Sequence, residues 1–256
     1  MGVATPLSAL LASARPSAHS RSLTPRALYP KELGMTPLVK ICGLSTAASL
    51  EAALAAGADM VGFVFFAKSP RNVSLKAARG LGERARGRAR IVALCVDADD
   101  AALDAIVESL EPDVLQLHGR ESPQRVGAVR RRYGRAVMKA VGVAEPADFA
   151  AALAYESVAD YLLIDAKPPR DAALPGGNGR AFDWRLAADF RPALPWLLSG
   201  GLDPINVAEA IVRAGARGVD VSSGVESAPG IKDEARIAAF VAAARAAFVR
   251  AAEGVD

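Results

Sequence analysis

From residue 37 onward the chain alternates short apolar runs with longer, alanine-rich amphipathic runs, and it does so eight times. The apolar runs are Leu38–Cys42, Met60–Phe65, Ile91–Val96, Val114–Leu117, Ala136–Ala140, Tyr161–Ile164, Trp196–Leu198 and Gly218–Val221. Runs that are apolar on both faces, each followed by a helical segment, predict a parallel sheet covered by helices. Helix starts are marked by Thr46, Ser74 and Asp99, which suit N-caps. Asp203-Pro204 is expected to open the helix that stops at Gly215, and the last helix is expected from about Lys232. Eight such units over residues 37–252 predict a (β/α)8 barrel. An open doubly wound sheet is the runner-up. Gly43-Leu44-Ser45-Thr46 after the first run lacks a Gly-x-Gly-x-x-Gly pattern, and no Gly-x-x-x-x-Gly-Lys-Ser/Thr occurs, so no standard nucleotide cradle is encoded.

Residues 1–34 read differently. They are rich in Ser, Ala, Arg and Pro, and hold Arg15, Arg21, Arg26 and Lys31 against Glu32. Those three surplus charges equal the formal net charge of +3, so the remainder is neutral and offers no nucleic-acid surface. The apolar piece Leu7–Ala12 has no basic residue before it, which argues against a secretory signal; transit-peptide composition fits loosely. Met35, next to the first strand, is the simpler start. Either way residues 1–34 are expected to be disordered and 35–256 to form one barrel domain. No apolar run approaches the ~20 residues that span a bilayer. Cys42 and Cys95 are the only cysteines, which implies no disulfide framework and a reduced, cytoplasmic protein. His19 and His118 are the only histidines, so a histidine triad or multi-histidine metal site is nearly excluded.

In a barrel of this kind the site lies where the strand C-termini meet, so residues at the strand ends carry the argument. The first strand ends in Cys42, with Lys40 on the same face; alone, such a thiol reads more readily as a packed core residue than as a reactive group. Cys95 reads as packing. The loop after the second strand presents Arg71 behind Pro70, and arginine suits a planar carboxylate. His118 follows the fourth strand and reads as a hydrogen-bonded structural residue. Asp165 ends the sixth strand, where a carboxyl is desolvated unless paired, an environment that suits a general acid. The long loop 166–181 contains Pro168-Pro169 and Gly176-Gly177-Asn178-Gly179, as a functional lid can. Gly200-Gly201 and Ser222-Ser223-Gly224 end the seventh and eighth strands, the recurring phosphate position on this fold. Asp220 is expected to face Lys40 across the seam between the first and eighth strands, which would set a cation beside Cys42 and favour its thiolate.

Taken in order, the motifs Lys40-Ile41-Cys42-Gly43, Gly57-Ala58-Asp59, Gly62-Phe63-Val64-Phe65, Ser69-Pro70-Arg71 and Gln116-Leu117-His118-Gly119 resemble those of the phosphoribosylanthranilate isomerase family of tryptophan biosynthesis. Asp165, Gly176–Gly179, Phe182-Asp183-Trp184, Gly200-Gly201-Leu202 and Val219–Glu226 through Pro229–Asp233 extend that resemblance to about residue 245. The leader is the departure from it. The resemblance implies an Amadori rearrangement of N-(5-phosphoribosyl)anthranilate to 1-(o-carboxyphenylamino)-1-deoxyribulose 5-phosphate. It implies Asp165 as acid, Cys42 as base and Arg71 on the anthranilate carboxylate. The backbone around Gly200, Gly201, Ser222, Ser223 and Gly224 would hold the phosphate, with Lys40 and Asp220 in support. No cofactor and no metal are implied, and the partner is a small phosphorylated molecule rather than nucleic acid or membrane; monomer and homodimer stay open. Two alternatives remain: a related phosphosugar isomerase of histidine biosynthesis, which carries aspartate where this chain has Cys42, and a non-catalytic phosphate-binding barrel scaffold.

Overall fold

The computed structural model describes residues 1–2, 36–167, 176 and 181–253. The chain divides into two units, Met1–Gly34 and Met35–Asp256. The expected disorder of the leader lies outside the described residues, as do most positions of the expected lid.

Eight strands close into a parallel barrel in sequence order. They are β1 Leu38–Cys42, β2 Met60–Phe65, β3 Arg90–Cys95, β4 Val114–Leu117, β5 Ala136–Val143, β6 Tyr161–Ala166, β7 Trp196–Leu198 and β8 Gly218–Val221. Closure is made by β1 pairing with β8, in a register that sets Lys40 opposite Asp220. The helices are α1 Ala47–Ala55, α2 Leu75–Ala85, α3 Asp100–Leu110, α4 Pro123–Tyr133, α5 Pro146–Leu153, α6 Val207–Ala214 and α7 Glu234–Glu253. Thr46, Ser74 and Asp99 each cap the next helix by accepting a backbone N–H from three residues on. No helix among the described residues is long and apolar enough to cross a membrane.

Strand alternation sorts the side chains into two cores. Odd positions of β1 and β2, such as Val39, Ile41, Val61 and Phe63, join the layer between strands and helices. The alternate positions of each strand point into the barrel. Met60, Val92, Val114, Met138, Leu163 and Leu197 fill its lower part, and Cys42, Val64 and Leu94 form a smaller cluster. Cys95 sits in the outer layer, fully buried, as its packing reading requires.

Three expectations are corrected. After β6 the described residues hold only a 3-10 turn, Trp184–Ala187, where a full helix was expected. Pro192 and Pro195 follow too closely for a longer helix to complete its hydrogen bonds. Asp203-Pro204 does not open α6 directly. Asp203 Oδ1 accepts from the N–H groups of Ile205 (2.7 Å) and Asn206 (2.9 Å), a turn that delays the helix to Val207. Lys232 does not start α7. It belongs to a small antiparallel hairpin, β9 Glu226–Ala228 and β10 Ile231–Lys232. Gly230 turns this hairpin at φ +81°, and a Cβ there would lie 2.6 Å from Pro70 O, so the turn is seated on the loop after β2.

Candidate active site

Cys42 ends β1 pointing into the barrel, 3% exposed. Room for its sulfur is made by Gly62 on β2, where a Cβ would sit 3.0 Å from Sγ and 3.3 Å from Lys40 Nζ. Lys40 lies one turn of the pleat below, wholly buried, and its Nζ donates to Asp220 Oδ1 at 2.7 Å. Asp220 Oδ2 in turn accepts from Ser199 Oγ at 3.3 Å. The expected seam pair is therefore formed. Burial pushes the Cys42 thiol up, with Asp220 adding to the rise; Lys40 pulls it down as expected, and Lys232 with it, without outweighing the burial.

Asp165 ends β6 and is not left unpaired. Its Oδ1 accepts the N–H of Ala166 (2.8 Å), and its Oδ2 lies 3.3 Å from His118 Nε2. Gln116 Nε2 faces His118 Nδ1 at 3.0 Å. With Nδ1 facing that amide, Nε2 is the ring nitrogen turned toward Asp165. Both Gln116 and His118 lie on the inner face of β4 and its end. Reading His118 as a structural residue therefore missed its place against the carboxyl. The Gln-x-His spacing, which puts both on one face, was the available signal. Behind His118, Lys139 Nζ donates to the carbonyls of Leu117 (3.2 Å) and Gly119 (2.7 Å) and to Glu121 Oε2 (2.8 Å). That buried pair fixes the strand end carrying the imidazole. Gly176 passes over the Asp165–His118 contact so closely that a Cβ would lie 2.6 Å from both Oδ2 and Nε2.

Arg71 is 6% exposed rather than a surface arginine. Its Nε and Nη2 donate to Glu226 Oε1 (2.7 Å) and Oε2 (2.9 Å). Lys232 Nζ donates to Glu226 Oε1 (2.8 Å), to Ser222 O (2.8 Å) and to Ser222 Oγ (3.2 Å). Burial would raise the Glu226 carboxyl, but Arg71 and Lys232 together hold it below the ordinary glutamate range. Burial pulls Lys232 down, against Glu226. Neither Glu226 nor Lys232 was singled out by strand-end reasoning, because both lie beyond β8 in a hairpin too short to show alternation.

Gly200 and Gly201, at φ +87° and +66°, turn the chain after β7. The Ser222-Ser223-Gly224 loop packs directly on this turn, since a Cβ at Gly224 would overlap Leu202 O. Ser222 Oγ donates to Cys42 O at 3.2 Å, which ties that side chain to β1. No group of three or more His, Cys, Asp or Glu side chains suited to a metal occurs among the described residues.

A closed parallel barrel with a thiol, a carboxyl–imidazole pair and a clamped guanidinium at its strand C-termini is a (β/α)8-barrel enzyme. The family model described as N-(5'phosphoribosyl)anthranilate (PRA) isomerase matches residues 39–243. The N-(5'-phosphoribosyl)anthranilate isomerase of Azorhizobium caulinodans is 60% identical over 209 residues, covering 82% of this chain and 92% of that protein. That of Nitrobacter hamburgensis is 54% identical over 222 residues, covering 87% and 99%. Among solved structures, phosphoribosyl anthranilate isomerase from Thermotoga maritima superposes with a TM-score of 0.73 at 34% identity, over 82% of this chain and 99% of that one. A phosphoribosyl anthranilate isomerase solved in complex with reduced 1-(o-carboxyphenylamino)-1-deoxyribulose 5-phosphate gives 0.70 at 33% identity, over 82% and 99%. The chain belongs to the N-(5'-phosphoribosyl)anthranilate isomerase family.

Proposed function

We propose that the unit 35–256 catalyses the Amadori rearrangement of N-(5-phosphoribosyl)anthranilate to 1-(o-carboxyphenylamino)-1-deoxyribulose 5-phosphate, with Asp165 as acid and Cys42 as base. The carrying observation is that these two side chains end non-adjacent strands of one ring and both point inward, so they can address a substrate from two sides. Asp165 donates a proton to the furanose ring oxygen, and the C1–O bond breaks as the substrate nitrogen forms an iminium. Cys42 then takes the C2 proton, and the C–H electron pair moves into a C1–C2 double bond to give the enolamine. Tautomerisation delivers the ketone. The nitrogen supplies the electron relay, so the sequence of steps calls for no cofactor. His118, with Nε2 toward Asp165 Oδ2, orients the acid and stabilises its carboxylate once the proton has left. Arg71 holds the anthranilate carboxylate. Backbone N–H groups around Gly200, Gly201 and Ser222–Gly224 hold the phosphate. The partner is this small phosphorylated molecule, handled in the cytoplasm by a monomer or homodimer.

The test is the loss of phosphoribosylanthranilate fluorescence, followed in the full chain and in Cys42→Ser, Asp165→Asn and Arg71→Ala. The first two should each lose about 10²–10⁴-fold in kcat while still binding a product analogue. Arg71→Ala should chiefly raise KM. Near-normal turnover in either of the first two overturns the acid and base assignment, and a kcat loss at unchanged KM moves Arg71 into the chemistry.

A further inference from the structure

Gln116 is wholly buried in the barrel interior, with Leu94 of β3 and Met138 of β5 as its register partners. An amide in such surroundings loses hydration that only hydrogen bonds replace. Its Nε2 meets His118 Nδ1 at 3.0 Å, and its Oε1 has no partner among the described residues. Methionine would fill nearly the same volume with no polar atom left unmatched, so stability does not account for an amide here. What the amide does contribute passes through its contact with His118.

The imidazole is a group that such a contact can set. Lys139 Nζ holds the carbonyls on either side of it, those of Leu117 (3.2 Å) and Gly119 (2.7 Å), which fixes the backbone. The last side-chain torsion of histidine is broad and roughly two-fold, so the ring can still turn over. Turning it over puts a carbon where each nitrogen stood. The contact at Nδ1 selects one of the two orientations, and in that one Nε2 lies 3.3 Å from Asp165 Oδ2. Gln116 reaches the ring because residues two apart along β4 and its end share a face.

We infer that Gln116 is a positioning residue for the proton transfer: its amide donates to His118 Nδ1, which keeps the ring proton on Nε2 and presents that nitrogen to Asp165. This rests on Asp165 as the acid and on His118 as the group that orients it. Gln116 acts through His118 and touches no reacting atom. The competing account makes Gln116 a packing residue of the barrel interior. The two differ in the tautomer of His118 and in whether stability or turnover responds to substitution.

The experiment uses the full chain isotope-labelled at the histidine nitrogens, which belong to His19 and His118. His19→Gln leaves the His118 signals alone in the spectrum. At about pH 8, above the ordinary histidine value of about 6.5, proton–nitrogen correlations should show a proton on Nε2 and none on Nδ1. A proton on Nδ1 overturns the inference whatever the activity. Gln116→Met should show both tautomers, with kcat lower by roughly ten- to a hundredfold and KM within about twofold of the parent. Its Tm should stay within about 2 °C of the parent or rise. A fall in Tm with an unchanged tautomer supports the packing account and overturns this one. Adding Gln116→Met to His118→Leu should cost no further kcat, because one acts through the other. If His118→Leu or Asp165→Asn keeps the parent kcat, the reading of the acid and its neighbour falls and this inference with it. If both lose kcat and Gln116→Met keeps it, only the role of Gln116 falls. Should Gln116→Met not fold, Gln116→Asn keeps the amide but withdraws it by one methylene. A mixed tautomer with lowered kcat then supports the inference, and a parent-like spectrum and kcat overturn it.

Discussion

Replacing Lys40 by methionine isolates one ammonium in the barrel interior. Methionine keeps the length and apolar body of the stem, so little cavity is made. What remains is Asp220, 5% exposed, with Ser199 Oγ at 3.3 Å in place of a cation at 2.7 Å. At that separation and an effective dielectric of about 20, the lost attraction is about 6 kcal/mol gross. Part of this was spent on desolvating both charges, and broken buried pairs cost about 3–5 kcal/mol net. For a domain of this size about 2–4 °C of Tm goes with each kcal/mol, so the melt should fall by roughly 6–20 °C. Lys40→Met/Asp220→Leu removes both charges and should recover most or all of the loss. The sign with pH is definite. Burial pulls Lys40 down, but Asp220 and Cys42 outweigh it and the folded pKa lies above the ordinary lysine value. The pair's contribution is therefore fully present below the unfolded value of about 10.4 and is lost only as pH rises through the folded pKa. Circular-dichroism melts from pH 6 to 9 should show a constant gap between parent and single variant. In the same variant the ascending limb of kcat/KM should move to higher pH, because one of the cations that pulls the Cys42 thiol down is gone. A single variant melting within about 2 °C of the parent, or a double variant less stable than the single, would refute the reasoning.

Gly176→Ala forces a methyl against Asp165 Oδ2 and His118 Nε2; kcat should drop at least about tenfold with Tm nearly unchanged, and parent-like turnover would mean the close approach is not required. Two buried carboxyls contribute to the acid limit of stability. Burial would raise Glu121, but Lys139 and backbone N–H donors outweigh it, and Glu226 is likewise held down. Their contribution is present above the unfolded value of about 4.3 and is lost as pH falls through the lower folded values, so Tm should stay level to about pH 5 and then decline. The decline should be shallower in Glu121→Gln, and equal slopes in parent and variant would count against it.

Much of the site was legible because barrel chemistry is written at strand ends. Cys42, Arg71, Asp165 and the two glycine-bearing loops are each marked by the point where an apolar run stops, and the period of two puts Lys40 on the face of Cys42. The Lys40–Asp220 contact could also be foreseen, since an eighth strand closing on the first sets their register. The net direction in which the Cys42 thiol is shifted could not. It depends on how far burial outweighs cations already answered by Asp220 and Glu226, a balance of distances rather than of residue types.

The sequence by itself determined the number and order of the eight barrel strands, the caps of three helices and the candidate side chains at the strand ends, because each follows from a local period or a local hydrogen bond. Beyond the Lys40–Asp220 pair, only the tertiary structure decided which residues meet. His118 reaches Asp165 past the intervening β5, and Arg71 finds Glu226 across 155 residues. Such contacts arise when a ring closes and a hairpin folds back over it, and no period in the chain encodes the distance between two side chains that only closure brings together.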